Sequence, residues 1–136
     1  MKKIYALLIL GLFAGCSKEK ILEKQEDLII QAMTSGEWKV TNFNKGGTDL
    51  TADFSTYKFQ FKTDLTVDAI NNGSLEKTGS WNASSATQTI TSSFTNASNP
   101  VLLLNGTWTI TSTTWTSVQA SQTVSGELRT LRLDKQ

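Results

Sequence analysis

Tyr57-Lys58-Phe59-Gln60-Phe61-Lys62 is followed after Thr63-Asp64 by Leu65-Thr66-Val67-Asp68-Ala69-Ile70, and together they carry the clearest two-residue rhythm in the chain. Rings at 57, 59 and 61 alternate with Lys58, Gln60 and Lys62, and Val67 and Ala69 carry the apolar face past the turn. Successive side chains of a strand point to opposite faces, so a period of two describes half-buried strands with one wet face each. The rhythm extends over most of the chain. From Gly36 onward eight strands are expected, at 36–43, 56–62, 65–70, 76–82, 87–94, 102–111, 114–120 and 127–134. Leu102, Leu104, Trp108 and Ile110 line the inner face of the sixth, and Leu131 and Leu133 that of the eighth. Asn71-Asn72-Gly73-Ser74 carries hairpin chemistry, and Ser98-Asn99-Pro100 marks a loop. Short consecutive strands with tight turns argue for an antiparallel meander, which eight strands can close into an up-and-down barrel without exposed edges. The expected fold is all-β, a small eight-stranded antiparallel barrel preceded by one short N-terminal helix. An immunoglobulin-like sandwich is the alternative.

Residues 1–34 differ in kind. Met1-Lys2-Lys3 and the apolar run Ile4 to Phe13 read as a secretory leader, because ten apolar residues are too few for a permanent membrane helix. Leu12-Phe13-Ala14-Gly15-Cys16 resembles the lipobox of bacterial lipoproteins, in which the cysteine is acylated and becomes the first residue. The resemblance implies a signal peptide over 1–15, lipid (palmitate among the acyl chains) on Cys16, and a membrane partner reached through that lipid. The expected address is the bacterial cell envelope, the outer membrane by preference. Ser17-Lys18-Glu19-Lys20 reads as a charged tether. Ile21, Leu22, Leu28, Ile29, Ile30 and Met33 fall near helical spacing, so residues 16–34 form a lipidated tether and short amphipathic helix leading into the domain at 35–136.

Composition excludes several functions. The 136 residues contain no histidine and one cysteine, which removes the Ser-His-Asp and Cys-His pairs, the histidine zinc sites and any intrachain disulfide. No enzyme activity, cofactor or metal is expected. Asp49 and Asp53 lack the oxygen-rich run of a calcium loop, and Asp64 and Asp68 are better matched to Lys58, Lys62 or water than to acid–base work. Loss of the leader takes two lysines and leaves a net charge of −1, which offers no basic patch for nucleic acid. Twenty threonines and fourteen serines suit strands with polar outer faces.

Gly-x-Trp occurs at Gly36-Glu37-Trp38, Gly79-Ser80-Trp81 and Gly106-Thr107-Trp108. A glycine two positions before a ring lies on the same strand face and leaves room for a neighbouring ring or a bend. With Gly46-Gly47-Thr48-Asp49-Leu50-Thr51, the Tyr57-x-Phe59-x-Phe61 alternation and Leu131-x-Leu133, the ordered set resembles the bacterial lipocalin-like lipoproteins over residues 35 to 136. The three rings are expected to pack as the barrel base, Trp38, Trp81 and Trp108, and the resemblance implies a cation from near the last strand over Trp38. Arg129, which shares the face of Leu131 and Leu133, is the expected donor, ahead of Arg132. It also implies binding of a small apolar or amphipathic ligand; Trp115, whose parity conflicts with Val118 and Ala120 and which follows a Thr-rich turn, is the residue expected at the mouth, with Tyr57 and Phe59 on the inner wall. Relatives of this type carry Asp-Gly where this chain has Asp64-Leu65. Either Leu65 takes a left-handed conformation, or Lys62-Thr63-Asp64 forms the loop and Leu65 faces inward opposite Phe61. Fifteen large apolar residues point inward, so a second function stays open, a filled barrel whose outer faces meet a protein or glycan partner. The sequence names no partner protein.

Overall fold

The computed structural model describes residues 20–136, so the leader and Cys16 lie outside the described residues. Helix α1 covers 20–34. Nine strands follow: β1 (Trp38–Lys45), β2 (Thr48–Asp49), β3 (Tyr57–Phe61), β4 (Thr66–Asn71), β5 (Ser74–Ser84), β6 (Thr89–Ser93), β7 (Gly106–Thr113), β8 (Ser117–Val124) and β9 (Glu127–Lys135), with 3-10 turns at Thr51–Phe54 and Val101–Leu104. β2 is a two-residue ribbon folded back on the end of β1. The other eight form the antiparallel ring β1-β3-β4-β5-β6-β7-β8-β9, closed by pairing of β9 with β1. The closed eight-stranded barrel with one N-terminal helix is thus the observed fold.

The two sides of β1 close unequally. Its ladder with β9 runs from Trp38↔Lys135 to Lys45↔Arg129, whereas Trp38↔Phe59 is its one register pair with β3. Beyond that pair, Phe54 from the first 3-10 turn is fully buried, its ring centroid 5.2 Å from that of Phe43. Three bulges bend the wall, with Thr41, Glu76 and Thr111 as the extra residues of β1, β5 and β7. The extra Thr41 reverses the parity of β1, so Trp38 and Val40 and then Phe43 all face inward.

β1 starts, β9 ends, and the turns at 62–65, 85–88 and 114–116 all lie at one end of the ring, as the antiparallel registers require. α1 covers this end. Ser85 Oγ in the β5–β6 turn donates to the Leu22 carbonyl at 2.8 Å, and Trp38 Nε1 donates to the Met33 carbonyl at 2.9 Å. The β5–β6 turn sits across the ring from β1, so the helix spans the opening and inserts Met33 into the core.

Two local expectations change. Val101–Leu104 is a 3-10 turn rather than the start of a strand, and its three-residue period turns Val101 and Leu104 inward and leaves Leu102 46% exposed. Leu65 adopts φ 67° and is 41% exposed, so the left-handed alternative holds and Leu65 does not face Phe61. Its backbone is committed on both sides, donating to the Lys62 carbonyl and accepting from Trp81 N–H.

Candidate functional site

The barrel interior is filled by side chains. Phe43, Phe54, Tyr57, Phe59, Phe94 and Trp108 form a connected run of ring contacts with centroids 5.2 to 6.5 Å apart, and Phe61 packs edge-on against Trp81 at 5.3 Å. Among the described residues, a cavity of about 40 Å³ lies between Met33, Phe61, Ile90 and Leu133. Ligand pockets usually measure roughly 300–1,000 Å³. The void falls far below that range.

Of the residues expected to hold a ligand, Tyr57 and Phe59 stack on each other in the core, and Trp115 is not brought to them. Phe59 is 1% exposed in the packed core, and Tyr57 stacks on it at the end of the barrel away from α1. Trp115 lies outside, on the β7–β8 turn at the helix end, 56% exposed. The Tyr57 hydroxyl instead donates to the Glu76 carboxylate, whose oxygens lie 2.9 and 2.8 Å away, because the β5 bulge places Glu76 within reach. Burial, and then the bond to and charge of Glu76, push the Tyr57 pKa up to about 12.

The expected barrel base is also revised. Trp38 and Trp81 stand toward the helix end, while Trp108 stands toward the other, its ring 6.0 Å from Phe43. What the three share is a hydrogen bond. Each buried indole N–H donates to a backbone carbonyl of a segment that closes the barrel: Met33 in α1, Lys62 in the β3–β4 turn and Leu104 in the second 3-10 turn, at 2.9, 3.0 and 2.9 Å. The rings therefore hold the closing segments in place while filling the core. Arg129 faces inward as expected, yet its register partner is Lys45, at the opposite end of the ladder from Trp38, and it pairs with Glu127 at 3.1 Å. The cation over Trp38 is Lys135, with Nζ 5.1 Å from the ring centroid. A strand carries a side chain about 3.3 Å per residue, so the right face at the wrong end cannot serve.

The carboxylates serve local structure. Asp68 accepts from Lys62 at 2.7 Å and from Thr78 at 2.7 Å, and the lysine contact holds its carboxyl below the usual range. Asp64 accepts from the Thr66 hydroxyl and amide, Asp49 from the Thr51 amide, and both are likewise held low. Among the described residues no three of His, Cys, Asp or Glu come together as metal ligands would.

The feature that sequence reasoning missed lies outside the barrel, beside α1. Two crevices of about 470 and 280 Å³ share Leu28, Ile29 and Thr113. One is bounded by Gln25, Ser85, Gln88 and the bulged Ile110–Thr113 segment, the other by Ala32, Thr114 and Trp115. The signal for Trp115 was present in its broken parity with Val118 and Ala120. Nothing in a linear pattern says that α1 would lie alongside it.

No protein-family model matches the chain, and no curated protein matches it. Among solved structures the chain is similar to a DUF4847 family protein from Bacteroides vulgatus ATCC 8482, with a TM-score of 0.56 and 14% identity over 79% of this chain and 99% of that one. At that identity the likeness speaks for the fold.

Proposed function

We propose that this protein is a lipocalin-like lipoprotein of the bacterial cell envelope, anchored through Cys16, in which a filled barrel serves as a rigid surface interaction module for a protein or glycan partner. One observation carries the second half of this reading: about 40 Å³ of free interior, too little to enclose a small molecule. The Leu12 to Cys16 motif and the basic, apolar leader support the anchor and its address. No helix among the described residues is long and apolar enough to cross a membrane, so the lipid is the means of attachment this reading relies on. Catalysis has no part in it.

Capture of a small amphipathic molecule is the second reading, favoured by the open crevices beside Leu28 and Trp115. Native mass spectrometry of the protein purified from its own envelope separates the two. The interaction module predicts the mass of the lipidated chain with no stoichiometric small-molecule adduct. A retained adduct, abolished by substitution of Leu28 or Trp115, would replace the first reading with the second.

A further inference from the structure

We infer that the flank of the helix end formed by Ile21, Leu28 and Trp115 rests on the lipid surface, which tilts the barrel so that the end away from α1 points into the surroundings. This inference rests on the proposed anchoring at Cys16 and adds the orientation of the anchored domain.

Helix α1 turns about 100° per residue, and the residues that meet the barrel set its orientation: Leu22, Ile29 and Met33 fall on one side, with Glu26 beside Ser85. Ile21, Gln25, Leu28 and Ala32 then share one flank, which faces the β7–β8 turn, where Ala32 and Leu28 border Trp115. Ile21 is 53%, Leu28 47% and Trp115 56% exposed. Charge follows the same division. Lys24, with Lys20 behind it, borders the apolar flank on its outer side, while Glu23 and Asp27 project from the opposite flank. An indole and two aliphatic side chains edged by lysine suit the boundary between acyl chains and phosphates, where tryptophan concentrates and lysine reaches the headgroups.

The tether says what covers this flank. Cys16 lies four residues before Lys20, and four residues at full extension span at most about 14 Å. Strands of about eight residues, tilted as in a small barrel, separate its two ends by roughly 20 Å. An acylated Cys16 therefore keeps the helix end at the membrane. Leu75, Leu102, Val124 and Leu128, which are also exposed, belong to the other end and stay beyond that reach while the helix end is seated.

The test uses the full-length acylated chain in vesicles of phosphatidylethanolamine and phosphatidylglycerol. Nitroxide labels are placed through Leu28→Cys, Trp115→Cys, Leu102→Cys and Leu128→Cys, and palmitate labelling of Cys16 is followed in parallel. Labels at 28 and 115 are expected to collide several-fold more with oxygen, relative to a water-soluble nickel chelate, than labels at 102 and 128. As a check without labels, brominated lipids should quench tryptophan emission in the unsubstituted chain and much less in Trp115→Phe, because the other three indoles are buried. An acylated Cys16 with all four labels equally open to nickel, and no bromine quenching, would overturn the orientation and leave the anchoring intact. That outcome would point to a protein on this flank. Absence of acyl label at Cys16 would overturn the anchoring and the orientation together.

Discussion

Gly79→Ala offers a sharp test of how tightly this barrel is filled. Gly79 sits in β5 opposite Val67 and precedes Trp81 by two positions, with an ordinary strand conformation. A Cβ built there would stand 2.7 Å from Cδ1 of Phe94 and closer still to the Ser93 carbonyl oxygen. Carbon pairs are comfortable at about 3.5–4.0 Å, so the ring would have to retreat by roughly an ångström. The ring can take up part of that shift in the cavity of about 40 Å³ that it lines, but the Ser93 oxygen cannot. Phe94 is 2% exposed and meets Phe59 edge-on at 6.4 Å, and its backbone is held by Asn105, which accepts from Phe94 N–H at 2.7 Å. The Ser93 oxygen belongs to the backbone of β6, so relief requires moving a strand. Overpacking costs about 1–3 kcal/mol, and a backbone clash belongs at the upper end. At about 4–8 °C per kcal/mol for a domain near this size, roughly 3 kcal/mol lowers Tm by about 12–24 °C. Urea unfolding followed by tryptophan emission, together with calorimetry, measures both. Gly73→Ala is the control: nothing lies within 4 Å of its Cβ, but φ is 79°, so it should lose only about 1 kcal/mol for the left-handed conformation. A Gly79→Ala protein within about 0.5 kcal/mol of the parent, or more stable than Gly73→Ala, would refute the view that this glycine exists to admit the Phe94 ring.

Tyr57 is the one tyrosine after residue 5, so in protein beginning at residue 17 the ultraviolet titration of phenolate reports on it alone. The midpoint should lie at about 12, fall toward 10 in denaturant, and drop part of the way in Glu76→Gln while burial still holds it up. Because the folded value is the higher one, the associated stability is complete below pH 10 and is lost as pH rises toward 12; a folded-state midpoint near 10 would contradict the buried bond to Glu76. Leu65→Gly should raise stability by about 0.5–1 kcal/mol in thermal melts, since it relieves a left-handed leucine at the expense of some chain entropy, and an unchanged or lower Tm would count against strain there. In double-mutant cycles with Trp38→Phe, Lys135→Met should show a coupling of about 0.5–1 kcal/mol and Arg129→Met essentially none. The reverse order would restore the arginine to the barrel base.

Much of the fold can be read in the chain because a strand's period of two survives in the sequence wherever one face is dry. Tyr57, Phe59 and Phe61 against Lys58, Gln60 and Lys62 show this plainly, and the observed burial alternates as they do. Hairpins were legible where backbone demands are chemical, as at Asn72-Gly73, both with positive φ. Reading failed where something interrupts the period. The bulge at Thr41 concealed Phe43, and the 3-10 turn after Pro100 exchanged Leu102 for Val101. Phe54 was missed because a plug residue in a loop belongs to no repeat.

The candidate site was less legible still, for a reason of dimension. Periodicity states which face a side chain takes, and it placed Arg129 on the inner face correctly. It does not state height along the barrel, which strand register sets, and register puts Lys135 rather than Arg129 beside Trp38. Whether the inward residues fill a cylinder or leave a cup depends on how their volumes interlock across the axis. Only the packed structure decides that, and it leaves about 40 Å³. The meeting of α1 with Trp115 is of the same kind, since residues 28 and 115 share no local pattern and become neighbours only when the helix crosses the end of the ring. Alternation and turn chemistry, which are local, determined the strands and their order. Filling and the flank beside the helix are long-range contacts, and the tertiary structure alone supplies them.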